Sequence, residues 1–327
     1  MSHAPAIQPD ESTLGANRGS LKLFSGNSSL ALAERVADCL SLDVGRALVG
    51  VFANAETRIR IEENVRGSDV FVLQSLSIPV DHNIMELLLM IDALKRASAR
   101  RITAVIPYFA YAKQEKKMAC REPISAKLVA NLLTTAGVSR VLTIDLHAPA
   151  IEGFFDIPVD HLRAAPILAE HFRGLSSEDI VVVSPDAGGV GRANDFRQRL
   201  GAPLAIIAKQ RPRPDVAEVL DMVGDVRGKT AIIVDDMIST GGTMVEAADV
   251  LRRRGAVDVL ACATHPVFAE TALDALLDSQ LSGLVVTDTV PLPSHRRDKI
   301  EIVSVARLLA ESIRRIHENR SVSELFD

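Results

Sequence analysis

Tryptophan is absent from this 327-residue chain, and aromatic residues of all kinds make up only 4% of it. Such a chain offers few flat rings on which nucleic-acid bases could stack. The net charge is −5, so no surplus of basic residues directs the whole molecule toward a nucleic acid. We therefore expect no nucleic-acid partner.

Long apolar runs and cysteines are also scarce. The segments around residues 84–91 and 231–234 are short or interrupted by charge, whereas a membrane span needs about 20 apolar residues. The three cysteines, Cys39, Cys120 and Cys262, are far apart and form no Cys-x-x-Cys pair, which is typical of a reducing compartment without a disulfide framework or zinc site. We expect a cytoplasmic protein with no membrane association.

Apolar content is high enough, at 47%, for a sizeable core, and the length suggests about two domains. From residue 21 onward, short apolar runs alternate with amphipathic stretches, which predicts an α/β fold with mostly parallel sheets covered by helices. Residues 1–20 are polar, carry no apolar region of a secretory signal, and are predicted to be a disordered extension. The remainder is predicted to form two α/β halves joined near residues 157–165.

Eleven elements are predicted from these patterns. Strands are expected at 21–24, 69–74, 102–106, 141–144, 180–183, 231–234 and 284–286, and helices at 29–40, 83–97, 124–136 and 244–254. Parallel sheets of this kind bind ligands beyond the carboxyl ends of their strands. The informative residues should therefore follow directly after the apolar runs.

The most informative segment is residues 231–243, AIIVDDMISTGGT. An apolar strand is followed by Asp235 and Asp236, then by a loop of hydroxyl residues and glycines, and then by a helix. Glycines allow backbone amides to turn toward an anion, and a helix N-terminus favours negative charge. The two carboxylates suit the vicinal hydroxyls of a sugar, either directly or through Mg²⁺.

This segment resembles the phosphoribosyl pyrophosphate signature of the phosphoribosyltransferase fold. Further motifs stand at residues 79–96 (PVDHNIMELLLMIDALKR), 101–112 (RITAVIPYFAYA), 121–137 (REPISAKLVANLLTTAG), 141–162 (VLTIDLHAPAIEGFFDIPVDHL) and 181–189 (VVVSPDAGG). Together they resemble the ribose-phosphate pyrophosphokinase family over nearly the whole chain from residue 21. The resemblance implies transfer of the β,γ-diphosphoryl group of ATP to O1 of ribose 5-phosphate, giving phosphoribosyl pyrophosphate and AMP.

The resemblance also implies the domain roles. It implies two phosphoribosyltransferase-like domains, each a mostly parallel sheet covered by helices. Residues 21–164 would form the nucleotide side, and residues 165–327 the ribose 5-phosphate side, with the C-terminal tail packing back on the first domain. Nucleotide and allosteric sites shared between subunits imply a homo-oligomer built from dimers, up to a hexamer.

Site residues follow from the matching motifs. The resemblance implies Mg²⁺ as the cofactor, with His147 and Asp186 as metal contacts. It implies Lys209 and Arg211 as catalytic cations in the segment AKQRPRP, whose prolines predict a mobile loop without helix or sheet. The residues implied for ribose 5-phosphate are Arg211, Asp235, Asp236, Ser239, Thr240, Gly241, Gly242 and Thr243. The residues implied for ATP are Phe52, Asn54, Ala55, Glu56, Lys113 and Gln114.

Two features depart from the family pattern or extend it. Asn54, Ala55 and Lys113 stand where the family commonly has Asp, Gly and Arg, and Lys113 lacks the bidentate fork of an arginine. These departures leave open a catalytically silent regulatory paralogue that assembles with active synthetases. A phosphoribosyltransferase acting on a base is a further alternative, which the nucleotide-side motifs and the two-domain length disfavour. The C-terminal RSVSELFD resembles a tail that forms an allosteric anion site, with Ser321 and Ser323 as candidate donors; a simple terminal cap is the other interpretation.

Overall fold

The computed structural model describes residues 19–210, 219–269, 271–292 and 299–326. Of the predicted extension over residues 1–20, residues 1–18 therefore lie outside the described part of the chain. Arg211 lies outside it as well.

The first sheet consists of five parallel strands in the order β1-β4-β5-β6-β7. The strands are β1 (Leu21–Ser25), β4 (Asp69–Leu73), β5 (Arg101–Ile106), β6 (Arg140–Ile144) and β7 (Val159–Leu162). Strand β4, with the sequence DVFVL, is buried at all five positions. Burial on both faces is what a parallel sheet covered by helices requires.

Three helices and one hairpin accompany this sheet. The helices are α1 (Leu30–Leu40), α2 (Val80–Arg96) and α3 (Ser125–Ala136). The hairpin pairs β2 (Ala47–Val51) with β3 (Thr57–Ile61) in antiparallel register, and β3 packs on α2. The hairpin was not predicted, because its alternating strand β3 (TRIRI) is only half-buried and gives a weak apolar signal.

The second sheet has the order β10-β9-β8-β11-β12-β13-β14, and only the β9–β10 pair is antiparallel among its described strands. Its strands are β8 (Ile180–Ser184), β9 (Leu204–Gln210), β10 (Val219–Val223), β11 (Thr230–Ile238), β12 (Asp258–Pro266), β13 (Gly283–Thr287) and β14 (Ile300–Val303). Its part of the chain also contains α4 (Ala165–His171), α5 (Val190–Leu200), α6 (Gly242–Arg253), α7 (Ala272–Leu277) and α8 (Ala306–His317). The prediction of an α/β fold with mostly parallel sheets is confirmed.

Short 3-10 helices complete the described part. They lie at Asn27–Ser29, Ala112–Gln114, Pro149–Phe154 and Ser323–Leu325. Two of them carry residues that the sequence assigned to sites.

The prediction that Lys209 lies in a loop without sheet structure is wrong. Lys209 belongs to β9, and its backbone is paired with Leu220 of β10 in an antiparallel hairpin. Pro212 and Pro214, which were expected to exclude sheet structure, come after the last residue of the strand. A proline prevents ladder pairing only at its own position, so the strand extends up to Gln210.

The C-terminal helix α8 returns to the first sheet. Its buried residues Leu309 and Ile313 share one apolar cluster with Leu32 and Val36 of α1. Arg314 donates to the carbonyl of Cys39 at the end of α1, over 3.1 Å. Full burial of such aliphatic side chains contributes roughly 1.5–3 kcal/mol each, so this cluster joins the two ends of the described chain firmly.

Candidate active site

Strand β11, in the middle of the second sheet, carries two adjacent carboxylates near its C-terminal end. Asp235 and Asp236 are consecutive residues of this strand. Asp236 is only 2% exposed, whereas Asp235 lines a cavity of about 420 Å³. The pair is therefore asymmetric, with one buried acid and one that faces open space.

Cationic groups hold this pair from two sides. Arg192, from the first turn of α5, places Nη1 2.9 Å from Oδ1 of Asp235 and Nη2 3.4 Å from Oδ1 of Asp236. His147, just beyond β6, places Nδ1 2.7 Å from Oδ2 of Asp236. Elements from both sheets thus converge on Asp236.

The two carboxyl groups titrate in opposite directions. Burial, followed by the neighbouring Asp236 carboxylate, raises the pKa of Asp235 to about 7. Burial also opposes ionisation of Asp236, but the hydrogen bond with His147 and the charge of Arg192 outweigh it and lower the pKa of Asp236. The same hydrogen bond raises the pKa of His147. At neutral pH the site therefore favours an ionised Asp236 bonded to His147.

Asp145 closes the cavity from the first sheet. This residue follows β6 with a φ of 39°, and its Oδ2 accepts bonds from the Thr264 hydroxyl at 2.7 Å and from the Ala164 amide at 3.1 Å. Thr264 belongs to β12, so the bond joins the two sheets. Arg163 lines the same cavity.

The predicted phosphate loop connects β11 to α6. Gly241 has a φ of 78°, and a Cβ there would lie 3.0 Å from Cγ of Leu276 and 3.3 Å from the carbonyl of Ala272. Both the backbone conformation and the close packing require glycine at this position. The free amides at the start of α6 can therefore face an anion.

Asp186 follows β8 and holds its own loop together. Its Oδ1 accepts the amide of Gly189 over 2.8 Å, and the Ser184 hydroxyl donates to its carbonyl over 2.7 Å. Gly188 of this loop lines the cavity that His147 and Asp235 also line. Asp186 itself is not among the lining residues, so the structure brings the loop, rather than this carboxylate, to the cavity.

The side chains around the carboxylate pair include oxygen and imidazole donors of the kinds that bind divalent metals. Within the described ranges, no group of three or more His, Cys, Asp or Glu side chains could hold an ion. Mg²⁺ commonly uses one or two protein carboxylates together with substrate phosphates, so a closed protein cage is not required. His147 also fits the usual arrangement of a metal-bound histidine, because Nδ1 is held by a carboxylate and Nε2 is left for a ligand.

Lys113 and Gln114 line a second cavity of about 420 Å³, beside Tyr108 and His82. Gln114 accepts the hydroxyl of Ser125 over 2.6 Å. Burial and then the charge of Asp236 raise the pKa of Tyr108 to about 12. The charge of Asp236 therefore acts on a residue that lines the second cavity.

Phe52, Asn54, Ala55 and Glu56 form the exposed turn of the β2–β3 hairpin. Phe52 is 48% exposed, and the Arg58 guanidinium lies 5.4 Å from the centre of its ring. Asn54 accepts the Glu56 amide over 3.3 Å. None of these four residues is among those that line the two cavities, so within one chain the structure does not bring them to the carboxylate pair.

The two serines predicted for an anion site lie at the C-terminal end. The hydroxyls of Ser321 and Ser323 are 2.9 Å apart, and Arg315 donates to the carbonyl of Ser321 over 2.8 Å. Both serines are exposed. Their placement leaves the hydroxyls open to a ligand or to a second chain.

Sequence reasoning assigned no role to Arg192, Asp145 or Thr264. All three line the cavity that Asp235 faces. Asp145 and Arg192 stand inside recognised motifs or directly after them, but only the folded chain shows which carboxylates they contact.

Comparison with known proteins places this geometry in a family. Residues 21–137 match the model described as the N-terminal domain of ribose phosphate pyrophosphokinase, and residues 209–327 match the phosphoribosyl synthetase-associated domain. The chain belongs to the ribose-phosphate pyrophosphokinase family. His147, Asp186 and Arg192 lie between the two matched ranges.

Individual members of the family are similar along almost their whole length. The chain is 55% identical to the ribose-phosphate pyrophosphokinase of Bacillus caldolyticus, over 94% of this chain and 98% of that protein. It is 53% identical to that of Bacillus subtilis strain 168, over 94% and 97%. The crystal structure of phosphoribosylpyrophosphate synthetase from Mycobacterium smegmatis matches with a TM-score of 0.87 and 46% identity, over 92% and 99%.

Family membership supports the enzyme interpretation rather than the regulatory alternative. Two further observations concern the setting of the protein. All three cysteines are free, and no helix among the described residues is long and apolar enough to cross a membrane. The cytoplasmic location stays a prediction.

Proposed function

We propose that the chain transfers the β,γ-diphosphoryl group of ATP to O1 of ribose 5-phosphate, giving phosphoribosyl pyrophosphate and AMP. The observation that carries the proposal is the juxtaposition of Asp235 with the anion-binding start of α6, at the end of a single strand. A sugar phosphate carries both vicinal hydroxyls, which suit a carboxylate, and a phosphate, which suits a glycine-rich helix start. The near full-length similarity to ribose-phosphate pyrophosphokinases supports this substrate class.

Different groups of residues bind the sugar phosphate, bind the nucleotide and stabilise the transferred group. Amides and hydroxyls of Ser239, Thr240, Gly241, Gly242 and Thr243 bind the 5-phosphate. Asp235 binds the ribose hydroxyls directly, and Asp236 acts behind it by holding His147 and Arg192. Lys209 and Arg211 stabilise the negative charge that develops on the transferred group and on the leaving AMP oxygen. Lys113 and Gln114 bind the nucleotide in the second cavity.

Mg²⁺ would be bound through Nε2 of His147 and would neutralise charge on the phosphates of ATP. Asp186 would contribute through its second carboxylate oxygen, since Oδ1 accepts the Gly189 amide. The protein itself orients the two side chains, His147 and Asp186, that would bind the ion. Asp236 holds Nδ1 of His147, which fixes the imidazole ring and leaves Nε2 as its free nitrogen. The Gly189 amide holds Asp186 in a similar way.

A second copy of the chain would complete the nucleotide site. Exposed apolar residues recur at helical spacing on α2 (Met85 and Leu89) and on α3 (Leu128 and Leu132), with exposed fractions between 36% and 57%. Exposed apolar side chains repeated on two helices in this way are typical of a subunit interface. The hairpin turn that carries Phe52 is exposed on its own chain, so a neighbouring subunit could bind it. We therefore include a homo-oligomer in the proposal.

The deciding experiment measures AMP release from ATP and Mg²⁺, with and without ribose 5-phosphate. Release that depends on ribose 5-phosphate, with a matching amount of phosphoribosyl pyrophosphate, is expected. No release under any condition would favour the silent paralogue, to which the departures at Asn54, Ala55 and Lys113 point. Consumption of phosphoribosyl pyrophosphate in the presence of a free base would favour a phosphoribosyltransferase.

A further inference from the structure

We infer that Arg192 is a positioning residue for ribose 5-phosphate: it keeps the Asp235 carboxylate oriented toward the sugar. The inference rests on the proposed function, because it assumes that Asp235 contacts ribose. No motif in the sequence assigned Arg192 a role. Its side chain is 26% exposed, and its two terminal nitrogens each reach a different acid of the pair.

The four carboxylate oxygens of Asp235 and Asp236 differ in whether protein donors already bind them. Oδ2 of Asp236 is bonded to His147 and its Oδ1 faces Arg192, so both oxygens of this acid have partners. Oδ1 of Asp235 accepts from Arg192 at 2.9 Å and from the Asp236 amide at 2.8 Å. Among the described residues, no donor reaches Oδ2 of Asp235. This oxygen is the acceptor that the pair can offer to a ligand in the cavity.

Arg192 sets the direction in which Oδ2 of Asp235 points. Two adjacent carboxylates repel each other, and the repulsion is strong in a partly buried site. Arg192 stands between them, and its planar guanidinium can bond both acids at once. Without this fork, Asp235 would lose one of the two bonds that hold Oδ1 and would turn away from Asp236. The free oxygen would then no longer be aimed at the sugar.

Orienting the Asp235 carboxylate is a different role from general stabilisation of helix α5. Arg197 lies on the same helix, and its Nε donates to Asn194 over 3.0 Å, within the helix itself. It is not among the residues that line the Asp235 cavity. Arg197→Met removes the same kind of side chain from the same helix without touching the carboxylate pair, so it is the matched control.

The experiment uses the full chain and two readouts. Calorimetry gives the Kd for ribose 5-phosphate, and steady-state AMP release gives both KM values and kcat. Arg192→Met should raise the Kd and KM for ribose 5-phosphate at least about tenfold, because a half-buried carboxylate loses its partner. The KM for ATP should change by less than about twofold. Arg192→Lys should recover part of the loss, since an ammonium keeps the charge but cannot bridge both acids.

Several outcomes would overturn the inference. These are unchanged ribose 5-phosphate binding in Arg192→Met, equal weakening of both substrates, or an equal effect of Arg197→Met. If Arg192→Met does not fold in a thermal melt, Arg192→Lys decides, and wild-type affinity in that variant contradicts the inference. Wild-type chain that binds ribose 5-phosphate but releases no AMP would refute the proposed function alone, because the calorimetric comparison of variants still stands. Wild-type chain that does not bind ribose 5-phosphate would refute both.

Discussion

Nε2 of His265 lies 3.1 Å from the carbonyl of Ile144, so a histidine from the second sheet is hydrogen-bonded to the last residue of a strand in the first. Nδ1 of the same ring lies 3.0 Å from the Thr289 hydroxyl. Since a carbonyl can only accept, Nε2 carries the proton of the neutral ring, and Nδ1 lies against the Thr289 hydroxyl. The ring is only 1% exposed, and both of its nitrogens are used in the neutral form.

This arrangement predicts a pH dependence of stability. Burial lowers the pKa of His265, and the charges of Asp145 and Asp236 oppose that effect only in part. As the pH falls below about 6.5, the unfolded chain takes up a proton at this residue and the folded chain does not. The free energy of unfolding should therefore decrease from about pH 7 to about pH 5, by at most about 1.4 kcal/mol per pH unit for this group.

Denaturant unfolding across that pH range provides the test. His265→Gln keeps a donor and an acceptor but cannot be protonated, so its stability should depend less steeply on pH. The pKa of His161 is also lowered, by burial and then by the charge of Arg163. His161 therefore contributes a pH dependence of stability with the same sign. It is unchanged in the variant, so part of the slope should remain. An identical slope in His265→Gln and wild type would contradict the assignment.

The asymmetry of the carboxylate pair predicts different effects for the two acids. Asp236→Asn leaves His147 and Arg192 facing a neutral amide in a buried site, and breaking such a pair typically costs about 3–5 kcal/mol. Asp235→Asn should have a much smaller effect on stability, because that acid is partly open to the cavity, and should mainly weaken binding of ribose 5-phosphate. Thermal melts and calorimetry on both variants check this, and equal destabilisation would contradict the distinction.

The phosphate loop predicts a contrast between two glycines with similar backbone conformations. Gly241→Ala should lose about 1–2 kcal/mol from its left-handed φ of 78° and additional stability from contact with Leu276. It should also weaken binding of ribose 5-phosphate more than binding of ATP. Gly228 has a φ of 72° and no atom within 4 Å of a would-be Cβ, so Gly228→Ala is the control for backbone strain alone. If both variants bind ribose 5-phosphate equally well, the loop does not bind the phosphate.

The proposed catalytic roles of Lys209 and Arg211 predict a loss of turnover when either cation is removed. Lys209→Ala and Arg211→Ala should each lower kcat by about two decades or more with modest changes in both KM values, because a cation aimed at developing charge acts mainly in the transition state. Arg213→Ala, in the same segment, should be tolerated. Steady-state kinetics with a thermal melt for each variant provide the measurement. A near-normal kcat in Lys209→Ala, or an equal loss of kcat in all three variants, would contradict the catalytic role of these cations. The segment would then be only a general basic region.

Much of the framework could be predicted from local patterns. Strand β11 and the carboxylates that follow its apolar core were recognisable because an apolar run, two acids and a glycine-rich turn are contiguous in the chain. Helix α2 was predicted from residue 83 but begins at Val80, because Pro79 is compatible with a helix start.

The rest depends on contacts between distant residues. Arg192 and Asp235 are 43 positions apart, and His147 and Asp236 are 89 positions apart, so no local pattern could pair them. Lys209 was misplaced because the prolines after it were read as excluding sheet structure, whereas the pairing partner β10 lies beyond them. The β2–β3 hairpin was missed because its strands are short and half-exposed.

The position of α8 has a consequence for how the protein is made. The apolar side of α1, including Leu32 and Val36, is covered by residues near 309–316. A ribosome synthesises α1 about 270 residues before it synthesises that cover. The first sheet can form during translation, but this part of its core stays open until synthesis is nearly finished, when exposed apolar surface favours aggregation. A chain truncated before Ala306 would remain in that unfinished state permanently.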